Sequence, residues 1–130
     1  MRVRSSFEYA IIRVVPYVER GEFINAGVIL YCRAQSFLDA QVALDEERLL
    51  ALAPSANVGE ITRYLDAFLR NCRGDPDSGS IARLTQRERF HWLISPRSTV
   101  IQTSPTHAGL CGDPAAMLEH LMARVVRAAT

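Results

Sequence analysis

Residues 7–15, FEYAIIRVV, run through ERGE at 19–22 into residues 23–31, FINAGVILY. These two apolar stretches decide the fold. Both are rich in β-branched and aromatic residues. The first is apolar on both faces, as in a central strand covered on each side. The segment between them reads as a turn, with Gly21 free to take a positive φ. Two such runs joined by a short turn make a β-hairpin. Residues 37–44, FLDAQVAL, alternate cleanly, with Leu38, Ala40, Val42 and Leu44 facing one way and Asp39 and Gln41 the other. That is a strand with one wet face, and it extends the hairpin to an antiparallel meander.

The middle of the chain changes period. Asp45-Glu46-Glu47 places acid at a helix start, Leu49 and Leu52 follow, and Pro54 stops it. Asn57 with Glu60 three residues later resembles a capping box. Beyond it Ile61, Tyr64, Leu65, Phe68, Leu69 and Cys72 form one helical stripe, and Gly74 is a natural residue to end the helix. Residues 74–80, GDPDSGS, read as a loop. Thr85 and Glu88 repeat the capping pattern ahead of a short helix that runs through Phe90, Trp92, Leu93 and Ile94 to Pro96. Residues 98–103, STVIQT, read as a fourth strand. Asp113-Pro114 opens a last helix with Leu118, Leu121, Met122, Val125 and Val126 on one face. Strands first and helices later imply an α+β domain: an antiparallel meander of three to four strands with about four helices packed on it.

The 130 residues make a single domain, residues 1–130. Apolar residues are 48% and charged residues 22%, ordinary for a globular chain, and the formal net charge is +1. That balance provides no global attraction to nucleic acid or an anionic membrane. All 15 cationic residues are Arg. Arg codons are GC-rich, so this usage points to a GC-rich bacterial genome. The chain shows no secretory signal and no membrane-spanning run, which places the protein in the cytoplasm. Cys32, Cys72 and Cys111 are then expected as reduced thiols.

Catalytic signatures are missing: no phosphate-binding glycine loop, no nucleophile-elbow pentapeptide and no paired-cysteine zinc motif. The densest polar cluster is RERFHWLISPRSTVIQTSPTH, residues 87–107. Arg87, Arg89 and Arg97, with the hydroxyls of Ser98, Ser104 and Thr106, could cradle a phosphate or carboxylate, with His107 as proton donor. The plain reading makes Arg87 and Arg89 a solvated helix face and pairs Arg97 with an acid. Arg97 and His107 stand at opposite ends of the fourth strand and cannot share a ligand alone. The His107 end is favoured, since Gly109 there lets a backbone approach closely. Ser104 as a nucleophile lacks an orienting acid. His91, His107 and Cys111 are spaced too loosely for a metal site, so no metal or other cofactor is expected. Asn25 interrupts an apolar strand two residues before Gly27, which marks a satisfied amide beside a bulge or a strand-end binding group. Trp92 is expected in the core, with stacking on a nucleic-acid base as its other role.

The segments FEYAIIRVVPYVERGEFINAGVILYC and SPRSTVIQTSPTHAGLCGDP together resemble the bacterial family catalogued as domain of unknown function 3037. The resemblance runs from Phe7 to about Val126, with ERGEFINAGVIL and SPTHAGL its most specific pieces. It transfers no catalytic residues. It implies a small bacterial protein encoded near a HipA-like serine/threonine kinase. The leading functional reading is therefore a non-catalytic regulatory or partner-binding module, with that kinase as the candidate partner. The alternative is an enzyme acting on a phosphorylated small molecule or nucleic-acid end, with the arginines binding phosphate and His107 as acid/base. Nucleic-acid binding through the arginines and Trp92 is disfavoured by the near-zero net charge. Convergence of the arginines and His107 in one pocket would favour the enzyme, and scatter beside an exposed apolar patch would favour the partner-binding module.

Overall fold

The hairpin forms as expected, and the third strand continues it. In the computed structural model, which describes residues 3–127, the strands Ser5–Val14 (β1), Ile24–Cys32 (β2) and Phe37–Val42 (β3) make an antiparallel meander. Gly21 closes the first turn at φ 70°, the left-handed conformation that glycine adopts without a Cβ clash. The second turn puts Ser36 in the same region at φ 50°. The helices Glu46–Leu52 (α1), Val58–Arg73 (α2), Gln86–Leu93 (α3) and Pro114–Val125 (α4) follow, with two short strands, Ile101–Thr103 (β4) and His107–Cys111 (β5), between the last two. The result is an α+β arrangement with a five-stranded antiparallel sheet.

Local chemistry sets the helix ends. Asn57 accepts from the Glu60 N–H at 3.0 Å and starts α2. Gly74 at φ 73° ends it. Thr85 and Glu88 complete a reciprocal capping box at α3. Asp113 accepts from the N–H groups of Ala115 and Ala116 at α4, with Pro114 at the first helical position.

Two corrections concern the sheet. Residues 98–100 lie outside the fourth strand, which is only Ile101–Thr103. The segment expected to connect it to the last helix contains β5, a fifth strand paired with β1 from Ser5↔Cys111 to Tyr9↔His107. Both β4 and β5 lie along the same side of β1, one after the other. Ser104 bridges the break between them: its N–H donates to the Ile11 carbonyl at 2.8 Å, and its Oγ accepts from the Ile11 N–H at 2.8 Å.

The sheet separates two apolar clusters. On one face Ala10, Ile12 and Val14 of β1 pack with Ile61, Leu65, Phe68 and Cys72 of α2 and with Phe90 and Leu93 of α3. On the other face Phe7, Val28, Leu30, Cys32 and Cys111 pack with Leu118, Leu121 and Met122 of α4. The helical stripe of α2 is narrower than the sequence suggests, because Tyr64 is 44% exposed and Leu69 only half-buried.

A bulge in β2 decides where Asn25 points. The β1–β2 register steps from Ile12↔Gly27 to Arg13↔Asn25, so Ala26 is the extra residue. Ile29 and Ala26 consequently share the α2 face, although alternation alone would put them on opposite sides. Asn25 is carried to the α4 face, where its Nδ2 donates to the Val125 carbonyl at 3.1 Å. Gly27 is required beside the bulge, since a Cβ there would lie 2.4 Å from the Gln41 carbonyl oxygen. No helix among the described residues is long and apolar enough to cross a membrane.

Candidate functional site

The polar candidates do not gather. Arg89 is a fastener: its guanidinium donates to the Cys72 carbonyl at 3.2 Å and the Leu84 carbonyl at 2.6 Å, joining the end of α2 to the turn before α3. Neither of the two sequence readings of Arg89 anticipated this tie to main-chain carbonyls. Arg87 is exposed on α3, and its carbonyl contacts His91 Nδ1 at 2.9 Å. Ser104 is only 4% exposed, its hydroxyl occupied by Ile11 and by donation to the Pro105 carbonyl. Thr106 is exposed in the link to β5. His107 is exposed on β5, with its ring 5.3 Å from that of Tyr9. Gly109 lies two residues on, where a Cβ would come within 2.8 Å of the Phe7 ring. The close backbone approach expected there is thus made by the protein's own Phe7.

Asn25 is half-buried, and its amide is satisfied on one side only. Nδ2 reaches Val125, while Oδ1 is buried without a hydrogen-bond partner among the described residues. Its cross-strand neighbour Arg13 stacks on Phe23 at 4.1 Å and has a buried Nε in the same condition.

Of the sequence candidates, Arg97 and Ser98 enter one concavity, together with Trp92. A groove of about 540 Å³ opens between α2, the end of α3 and residues 97–103. Buried Phe68 and Leu93 form its floor, exposed Tyr64 and Trp92 its rim, and Val18 also lines it. The Arg97 guanidinium carbon lies over the Trp92 ring, 4.1 Å from its centroid, and the guanidinium donates to the Trp92 carbonyl. Instead of pairing with an acid, it makes a cation–π contact with Trp92, which together with the hydrogen bond anchors the guanidinium. Arg97 is the one charged residue among those lining the groove.

Trp92 overturns the expectation of a core tryptophan, being 41% exposed. At 100° per residue, Phe90 and Leu93 lie close together on α3 and face the sheet, which turns Trp92 well away from it. Tyr64 is held on the opposite rim by its hydroxyl, which donates to Glu60 one turn earlier. That bond pushes the phenol pKa above its ordinary value. Asn71 also lines the groove, and its Oδ1 is buried without a partner. Tyr64 and Asn71 were not singled out from sequence. The available signal was an aromatic at the margin of the α2 stripe, where a rim residue sits.

The thiols divide between the two faces. Cys72 is buried under α2, where loss of solvation pushes its pKa up to about 12. Cys32 and Cys111 are buried on the α4 face, and desolvation raises Cys111 as well. All three are unbonded. With their pKa raised, the Cys72 and Cys111 thiols are poor nucleophiles and poor metal ligands.

No curated protein and no solved structure matches this chain. A match to a protein family described as being of unknown function extends over residues 9–126, nearly the whole chain, and by it the protein belongs to the DUF3037 family.

Proposed function

We propose that this protein is a bacterial, cytoplasmic, non-catalytic binding module. In this reading the groove between α2, α3 and residues 97–103 receives a protein partner. One observation carries the reading. Two exposed aromatic residues, Tyr64 and Trp92, converge on a single apolar groove beside one guanidinium without an acidic partner in the lining, while Arg87, Arg89 and His107 lie elsewhere. Large exposed aromatics around a concavity are the usual anchors of a protein interface. Scatter of Arg87, Arg89 and His107 disperses the anion site expected around residues 87–107, which supports the binding reading over the enzyme. The unbonded thiols suit a reducing compartment. The HipA-like serine/threonine kinase is the candidate partner, and it rests on the family resemblance alone.

The test is binding to the HipA-like kinase of the same host, measured with purified proteins. Wild type should form a complex, and the double variant Tyr64→Ala/Trp92→Ala should weaken it by about tenfold or more, as loss of interface anchors does. Equal binding by that variant would remove the groove from the reading. Loss of binding in His107→Ala instead would move the working surface to the β5 end.

A further inference from the structure

We infer that the groove takes an extended segment of the partner, which adds a strand to the outer edge of β4 and sets one side-chain carboxylate on Arg97. This rests on the groove being the docking surface proposed above.

The edge follows from the register. Val15 N–H donates to the Val100 carbonyl at 2.7 Å and Ser104 N–H to the Ile11 carbonyl at 2.8 Å. Antiparallel pairs alternate, so residues 100, 102 and 104 turn their main-chain groups toward β1. Ile101 and Thr103 therefore turn theirs outward, at the end of the sheet order β3-β2-β1-β4. Outward N–H and C=O groups on an edge strand are a template for another strand. The Ile101 carbonyl is partly used by the Thr99 hydroxyl at 2.7 Å, which leaves the two N–H groups and the Thr103 carbonyl for a partner.

The same strand walls the groove. Ile101 and Thr103 lie opposite Val14 and Ile12, on the α2 face, and both line the groove. A strand laid along this edge turns alternate side chains to that side, over the floor of Phe68 and Leu93. Apolar residues at alternate positions are thus what the groove accepts.

Charge selects the remaining position. Arg97 spends one donor on the Trp92 carbonyl, and the Trp92 ring covers one face of its guanidinium. Its other N–H groups remain for a carboxylate. No acid among the described residues lines the groove to compete for them. The receiver is a side-chain cation rather than a run of backbone N–H groups, which suits an Asp or Glu within a continuing segment more than a chain end.

Random linear peptides displayed on phage, selected on the wild-type protein, supply the probe. Selection should enrich sequences with one Asp or Glu and bulky apolar residues at alternate positions. The synthetic consensus peptide, capped at both ends, should bind and slow exchange of the Ile101 and Thr103 amides. Its Glu→Gln analogue should bind about tenfold more weakly to wild type but equally to Arg97→Gln, since one charge-assisted pair is lost either way. Thr103→Pro should weaken the peptide while Thr103→Val does not, because only the first removes the outward N–H. Should Thr103→Pro fail to fold, N-methylation of alternate peptide amides tests the same bond from the other side. A consensus that ignores N-methylation and Arg97→Gln but is lost in Trp92→Ala would overturn strand addition and leave the groove as a docking surface. Peptides with helical three- and four-residue spacing would do the same. No enrichment, or binding indifferent to Trp92→Ala, would overturn both.

Discussion

The two faces of the sheet are closed in different ways. On one, α2 and α3, with Leu49 of α1, bury Ile12, Val14 and Ile29, and α2 and α3 part toward β4, where the groove opens. On the other, one helix, α4, covers Phe7, Val28 and Leu30, and Asn25 fastens its end to the bulge of β2. The seam between α2 and α3 leaves a groove rimmed by Tyr64 and Trp92, whereas the hollow of about 520 Å³ beside α4 and β5 is lined by Leu110, Asp113, Met117 and His120, with no Tyr or Trp among its described residues. The binding surface proposed here is thus a by-product of how the larger core is roofed.

The largest effects should come from truncating each core. Phe68→Ala, on the α2 face and 8% exposed, should cost about 3–5 kcal/mol, and Leu118→Ala on the α4 face about 2–5 kcal/mol. Chemical denaturation measures both. A Phe68 loss below about 1 kcal/mol would show that α2 does not anchor the first face, contrary to its burial.

Ser104 lies where the two edge strands meet β1, so it tests what joins the faces. Ser104→Ala leaves the Ile11 N–H without its acceptor and should cost about 1–3 kcal/mol. A neutral result would mean that β4 and β5 shift to pair directly with Ile11 as one continuous strand.

The thiols sharpen the comparison through pH. Burial lifts Cys72 to about 12, so the folded state keeps its proton above pH 9 while the unfolded chain releases it. The unfolded state then binds fewer protons, and stability falls as pH rises through that window. The loss should be on the order of 1 kcal/mol at pH 10. Denaturation at pH 8 and pH 10 should show this slope in wild type and a shallower one in Cys72→Ala. Equal slopes would place the alkaline sensitivity elsewhere, with Cys111 on the α4 face the next thiol to test.

The smallest stability effects belong to the exposed rings. Trp92→Ala and His107→Ala should each stay within about 1 kcal/mol of wild type by thermal melting, since neither side chain is buried. A His107→Ala variant that unfolds would make its ring contact with Tyr9 a fastening of the β5 edge.

Sequence by itself determined the elements whose causes are local. The caps at Asn57, Thr85 and Asp113, the glycine ends at Gly21 and Gly74, and the three-strand meander all depend on residues within a few positions of one another. Asn25 beside Gly27 even announced the bulge. Tertiary structure decided the rest. Strand β5, sequence HAGLC, has little alternation of its own and exists because β1, a hundred residues earlier, offers it an edge. Ser104 and Arg89 looked like ligand-binding groups because they are polar, yet each is used by main-chain atoms that only the fold brings near. Arg97 and Trp92 are neighbours in sequence, but their pairing becomes a groove wall only when α2 supplies the opposite side. A polar side chain is free for a partner, or already spent inside the fold, according to which distant carbonyls and N–H groups come within about 3 Å of it.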